Sequence, residues 1–156
     1  MEKQQISPEK ARIYDFDELG LETVTPVRFV CDSIKTVIEP MIRDRDRFRD
    51  VRLGVQEIVK DVEVHGNESY PRLVIVQQEI GGVALRTIDV EDRESTRTDI
   101  WGEDPDHNGF GEQIIESVFQ DDYKKIVDGD TVERYVFIRG DNATQQYDYP
   151  RIEHVA

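Results

Sequence analysis

Glu57 and Asp61 stand four residues apart in the run Val55-Gln56-Glu57-Ile58-Val59-Lys60-Asp61-Val62-Glu63-Val64-His65-Gly66. Val55, Ile58, Val59 and Val62 recur at helical spacing, so the run reads as a helix with one buried stripe, on which residues four apart are neighbours. Like charges at that spacing cost an isolated helix roughly a few tenths of a kcal/mol. A hard cation bound between the two carboxylates would offset that cost, because such ions take oxygen ligands. Two further features lie downstream. Asp92 follows a β-rich run that starts at Val83, and Gly109-Phe110-Gly111 leads into Ile114, Ile115, Val118 and Phe119, which again recur at helical spacing. A helix N-terminus flanked by glycine presents free N–H groups and partial positive charge, which suit a phosphate. An acidic side chain holding a divalent ion would then bridge that phosphate to the protein.

Each residue also has an ordinary reading. Glu57 can pair with Lys60, Asp61 can be surface acidity, and Asp92 can be a turn residue at a strand end. Gly109 and Gly111 can simply shape a loop-to-helix junction, and Thr131 can be a β-branched strand residue. His65, His107 and His154 are too scattered to suggest a metal site, and His65 reads as packing at a helix end. No spacing supports a Ser-His-Asp or Cys-His arrangement.

The elements that must position these residues are legible along the chain. Residues 1–10 are polar and read as a flexible N-terminus, and Ala11 to Glu18 as a short strand at a sheet edge. Thr25-Pro26 starts a helix, with a capping hydroxyl and proline in the first turn, and Val27, Val30, Cys31, Ile34, Val37 and Ile38 carry it to Pro40. A charged link, Asp44-Arg45-Asp46-Arg47, leads to a second helix bearing Phe48, Val51 and Val55. Gly54 inside it costs about 1 kcal/mol against Ala unless it packs closely on a neighbour. Gly66-Asn67 supplies a stop in the left-handed conformation. Arg72 to Glu79 and Val83 to Asp92 form a hairpin around Gly81-Gly82, and Lys124 to Val127 and Thr131 to Arg139 form a second one around Asp128-Gly129-Asp130. Between the hairpins, 93–108 lack periodicity and read as a lid or binding loop before the third helix. Beyond Gly140 the tail 141–156 is polar. The expected fold is α+β: a two-layer sandwich with a mainly antiparallel, mixed sheet covered on one face by three helices.

The chain has 156 residues and 37% hydrophobic content, enough for one domain with a core. Its net charge of -14, from 34 acidic and 20 basic residues, argues against nucleic acid and against an anionic membrane surface. No stretch has the apolar length of a membrane span and Met1-Glu2-Lys3-Gln4-Gln5 opens no hydrophobic signal, so a cytoplasmic protein is expected. Cys31, the single cysteine, excludes an internal disulfide and falls on the stripe of the first helix as a small hydrophobe.

Over residues 11 to 139 the chain resembles the ATP-binding anti-sigma factors of bacterial partner-switching systems, protein serine kinases on the histidine-kinase-like (GHKL) ATPase fold. Glu57-Ile58-Val59-Lys60-Asp61 resembles that family's Glu-x-x-x-Asn motif, with His65 at the family spacing and Asp61 where Asn is usual. The resemblance implies that Glu57 orients or activates the attacking hydroxyl and that Asp61 holds magnesium. Asp92-Arg93-Glu94-Ser95-Thr96 matches the Asp of the family's Asp-x-Gly-x-Gly motif, which receives the adenine amino group, while Glu94 and Thr96 replace its glycines. Gly109-Phe110-Gly111 resembles the phosphate-binding end of the lid, and Gly129-Asp130-Thr131 approximates the Gly-Thr-Thr that would put Thr131 near adenine.

The resemblance implies a domain over 11–140, ATP and Mg2+ as cofactors, and a sigma factor or an antagonist protein as partner. It also implies pairing of two copies. Two functions follow from it. One is an anti-sigma-factor-like regulator that transfers the ATP γ-phosphoryl group to a serine of an antagonist, with Glu57 catalytic, Asp61 on the metal, and Asp92, Gly109, Gly111 and Thr131 on the nucleotide. The other is a nucleotide-free domain kept as a protein-binding module, because a side chain at 94 crowds a site that needs close backbone approach.

Overall fold

A computed structural model describes residues 11–20, 24–91 and 110–141 of the chain. Asp92, Gly109, the lid residues 93–108, residues 1–10 and the tail from 142 lie outside the described residues. The element order is β1 (Ala11–Asp15), α1 (Pro26–Ile38), α2 (Arg45–His65), β2 (Leu73–Glu79), β3 (Gly82–Val90), α3 (Phe110–Phe119), β4 (Tyr123–Asp128) and β5 (Thr131–Arg139). Short 3-10 turns follow α1 at Glu39–Met41 and α3 at Gln120–Asp122.

Local chemistry sets these boundaries. β1 ends at Asp15, earlier than the expected Glu18, because the Asp15 carboxylate accepts from Asp17 N at 3.0 Å and its carbonyl accepts from Glu18 N at 3.0 Å, which turns the chain. Thr25 Oγ1 caps α1 by accepting from Arg28 N at 3.3 Å, with Pro26 in the first turn. Asp44 caps α2 by accepting from Asp46 N and Arg47 N at 2.9 and 3.2 Å, so the charged run expected as a link is the first turn of the helix.

The stop of α2 differs from expectation. Gly66 is extended, with φ -68° and ψ 137°, not left-handed. Glycine is needed there for space: a Cβ would fall 2.5 Å from Val62 O and 2.7 Å from Arg72 Cδ. Left-handed glycines instead serve the two hairpin turns, Gly81 at φ 85° and Gly129 at φ 63°.

The strands form one five-stranded sheet in the order β1-β2-β3-β5-β4. Every neighbouring pair among the described strands is antiparallel, so the sheet is uniform where a mixed one was expected. β1 is an edge strand, as expected. Alternation puts Val74, Val76, Val83, Leu85, Val136 and Ile138 on one face. They join one hydrophobic core with Val30, Ile34 and Ile38 of α1, Val55, Ile58, Val59 and Val62 of α2, and Ile115 and Phe119 of α3. The architecture is an α+β two-layer sandwich with three helices over one sheet face.

Gly54 lets two helices of that layer meet. A Cβ there would lie 2.6 Å from Phe119 Cε2 and 3.3 Å from Val118 Cγ1, so α2 and α3 approach at backbone distance. At the other end of the pair a Cβ on Gly111 would lie 2.9 Å from Glu57 Oε1. α3 therefore runs antiparallel to the second half of α2. Asp141 is tied to the domain, its N donating to Met41 O and its carboxylate accepting from Arg43 N, both at 2.9 Å. No described helix is long and apolar enough to cross a membrane.

Candidate functional site

Glu57, Asp61 and His65 occupy successive turns on one face of α2. Ile58, Val59 and Val62 pack inward, and the three polar residues border that apolar stripe, half-buried. The border faces the ends of β3 and β5 and the start of α3. There the inward positions of two adjacent strands turn polar together. On β3 the series Val83, Leu85 continues as Thr87 and Asp89, both with no exposed surface, and on β5 the series Ile138, Val136 continues as Arg134, 2% exposed. Register places Arg134 directly opposite Thr87.

Arg134 is the hub of the resulting cluster. Its Nη1 lies 3.3 Å from Asp89 Oδ1, its Nη2 3.2 Å from Glu91 Oε2, and its Nε 3.9 Å from Asp61 Oδ2. Asp61 Oδ1 in turn lies 3.9 Å from His65 Nε2. One guanidinium thus meets three carboxyl groups from a helix, a strand and the residue after that strand. Such a group stays buried only if the charges nearly balance.

The balance is reached by proton retention. Burial, reinforced by the hydrogen bond and charge of Glu91, pushes Asp89 up to about 8 against the pull of Arg134. Burial acts on Glu91 in the same sense, but the hydrogen bond from Asp89 and the Arg134 guanidinium outweigh it and hold Glu91 below the usual range. Asp89 therefore keeps its proton and Glu91 carries the charge. Burial also pushes Asp61 up to about 6; Arg134 opposes this, and Glu112 and Glu57 add to it. Desolvation would lower Arg134, yet Glu91, Asp61 and Asp89 together raise it, so it is a permanent cation.

Glu57, Asp61 and Gly111, three residues singled out in the sequence, are thus brought together. Among the described residues no ion pair joins Glu57 to Lys60. Asp61 is 3.8 Å from the Cβ position of Gly111, and the start of α3 closes over both carboxylates. Thr131 is not brought to them: it opens β5 opposite Val90 and Asp128, at the parity that faces away from the helices. Asp92 and Gly109 lie outside the described residues.

The described residues do not fit a magnesium ion at Asp61. An ion on that carboxylate would share it with a buried guanidinium of like charge, and like charges in a low-dielectric site repel strongly. Among the described residues no group of three or more His, Cys, Asp or Glu side chains is arranged to hold a metal. Arg134, Asp89 and Glu91 were not singled out from the sequence, although charged residues at inward parity in apolar strands carry the signal. No protein-family model matches the chain, and no characterised protein is significantly similar to it.

Proposed function

We propose that the chain is a regulatory protein-binding domain of the anti-sigma-factor type, on a histidine-kinase-like scaffold whose nucleotide pocket is filled by its own ion pairs. The observation that carries this reading is Arg134. Its guanidinium lies between Asp61, Asp89 and Glu91 and gives the carboxylate at 61 an internal cation. The order strand, helix, helix, hairpin, helix, hairpin is the one read along the sequence, and Glu94 and Thr96 stand where, by the resemblance, close approach of a base calls for glycine. A sigma factor or an anti-sigma factor antagonist protein is the partner class that this reading names.

A second reading, an ATP-dependent serine kinase, is favoured by one juxtaposition: a Cβ on Gly111, at the start of α3, would lie 2.9 Å from Glu57 Oε1. Titration calorimetry of magnesium and ATP into the protein separates the two. The filled pocket gives no heat and no thermal shift at millimolar nucleotide. Saturable heat that disappears in Asp92→Ala would replace this reading with the kinase.

A further inference from the structure

The first half of α2 and the outer side of α3 enclose a groove of about 720 Å³ that the buried ion-pair cluster does not touch. Its floor is apolar: Val51, Phe119 and Ile138 lie there, each at most 6% exposed. Its walls carry Leu53, 43% exposed, and the half-buried Ile114 and Val118. An apolar floor with an exposed leucine on the wall is what a helix-in-groove contact requires.

The charges around it have one sign left over. Arg139 is engaged by both oxygens of Asp122 at 2.7 and 2.8 Å, and Arg47 leans on Asp141 at 3.6 Å. The α2 rim is acidic, with Asp44, Asp46 and Asp50. Of these, only Asp46 has a basic side-chain partner among the described residues, Arg49 at 2.9 Å, and that pair is exposed to solvent and screened. Residues 44–53 run about 14 Å along the helix, room for two to three turns of a second helix.

We infer that this groove docks a positively charged amphipathic helix of a partner protein, its apolar stripe over Val51, Leu53 and Ile114 and its basic flank along the aspartates of α2. The inference rests on the reading of the chain as a protein-binding domain and names the surface. Charge selects this occupant over two others. A second copy of the chain carries a net charge of -14 and would bring acid to acid. The chain's own segment 142–156 sets Asp148 and Glu153 against Arg151 and offers the rim no net positive charge.

The test uses the full chain and a synthetic helical peptide of about 18 residues, long enough to hold helix when bound. Leucines at i, i+3, i+4 and i+7 form its stripe, and Lys and Arg flank them. One control keeps the composition and scatters the leucines; another replaces the basic residues with Glu. At roughly 0.15 M salt, where distant charges are screened, the striped peptide binds at least about tenfold more tightly than either control. Amide shifts map to Leu53, Ile114 and Ser117. Leu53→Asp weakens binding about tenfold and Asp50→Lys about fivefold, while Thr36→Lys on α1 leaves it unchanged. Ser117→Trp, which fills the groove without touching the core, weakens it as well.

Equal binding of striped and scattered peptides, shifts elsewhere on the surface, or indifference to Leu53→Asp and Ser117→Trp would overturn the inference. So would groove amides already covered in the free protein by residues 142–156, or a dimer dissolved by Leu53→Asp. Heat from ATP would sink the filled-pocket reading while leaving these peptide results to decide the groove on their own.

Discussion

Arg134 Nε stands 3.9 Å from Asp61 Oδ2, so the helix that carries the candidate carboxylates is tied to the sheet by a cation from the chain itself. The same guanidinium holds Asp89 and Glu91 at the end of β3. The consequence is positional as much as electrostatic. Asn67 N donates to Val90 O at 2.6 Å and Glu91 N to Asp130 O at 2.8 Å, so the chain leaving β3 towards Asp92 is clamped between the end of α2 and the β4–β5 turn.

Removing that cation should be costly. Arg134→Met leaves the carboxylates of Glu91 and Asp61 buried without their guanidinium, which costs about 3–5 kcal/mol in comparable buried pairs. Urea denaturation reads this as a lower midpoint at unchanged slope. Adding Asp61→Asn and Glu91→Gln to the same variant removes the stranded charges and restores much of the loss. A loss under about 1 kcal/mol in Arg134→Met would show that the cluster is solvated instead of closed.

The retained proton on Asp89 gives a pH dependence with a definite sign. Asp89 goes from an ordinary 3.8 up to about 8 and Asp61 up to about 6, so over that range the folded chain holds protons that the unfolded chain has released. Their contribution to stability is full at low pH and is lost as pH rises through 6 and then 8. Glu91, held low, acts in the opposite sense only at acid pH, where its contribution disappears on protonation. The denaturation midpoint should therefore fall between roughly pH 5 and pH 8. Asp89→Asn keeps the oxygen that accepts from Arg134 and removes the titration, so its profile is flatter and its stability at pH 8 higher; an unchanged slope would assign the effect to other groups.

Most of the fold was legible because it rests on local rules. The Thr25-Pro26 start, the glycines of both hairpins and the β-rich run of Thr131 to Arg139 each fix a boundary through a neighbour within a few residues. Gly54 was legible as a close contact, though not its partner: Phe119 belongs to another helix beyond a whole hairpin, and no local pattern encodes that separation. Gly66 went the other way, since a stop before Asn67 suggests a left-handed glycine, whereas what calls for glycine is crowding by Val62 O and by Arg72 beyond the turn. The cluster around Arg134 was missed for a related reason. Thr87, Asp89 and Arg134 break the apolar series of two strands at matching positions, and their meaning appears only once the strands are registered.

Cys31 offers an independent check on the α1–α2 contact. Its thiol is pushed up to about 12, first by burial and then by the charge of Asp32. At neutral to mildly alkaline pH almost none of it is thiolate, the form that reacts. Its modification by an aromatic disulfide should run at least about a hundredfold more slowly in the native protein than in urea. A native rate near the denatured one would mean that α1 opens readily from α2.

Gly54→Ala opposes two effects whose sizes decide the sign. Alanine favours an exposed helix interior over glycine by about 1 kcal/mol. Here its methyl would sit 2.6 Å from Phe119 Cε2, and overpacking of that kind costs about 1–3 kcal/mol. The clash should win, lowering stability by about 1 kcal/mol, whereas in a Phe119→Leu background the same change should be neutral or stabilising. A double-mutant cycle measures that coupling, and a stabilised Gly54→Ala single variant would refute the contact. Gly111→Ala makes the contrast: the nearest atom, Glu57 Oε1 at 2.9 Å, ends a flexible side chain that can swing aside, so stability should hardly change. Of the two glycines only Gly54 sets how closely α3 lies on α2, and so the width of the groove beside Leu53.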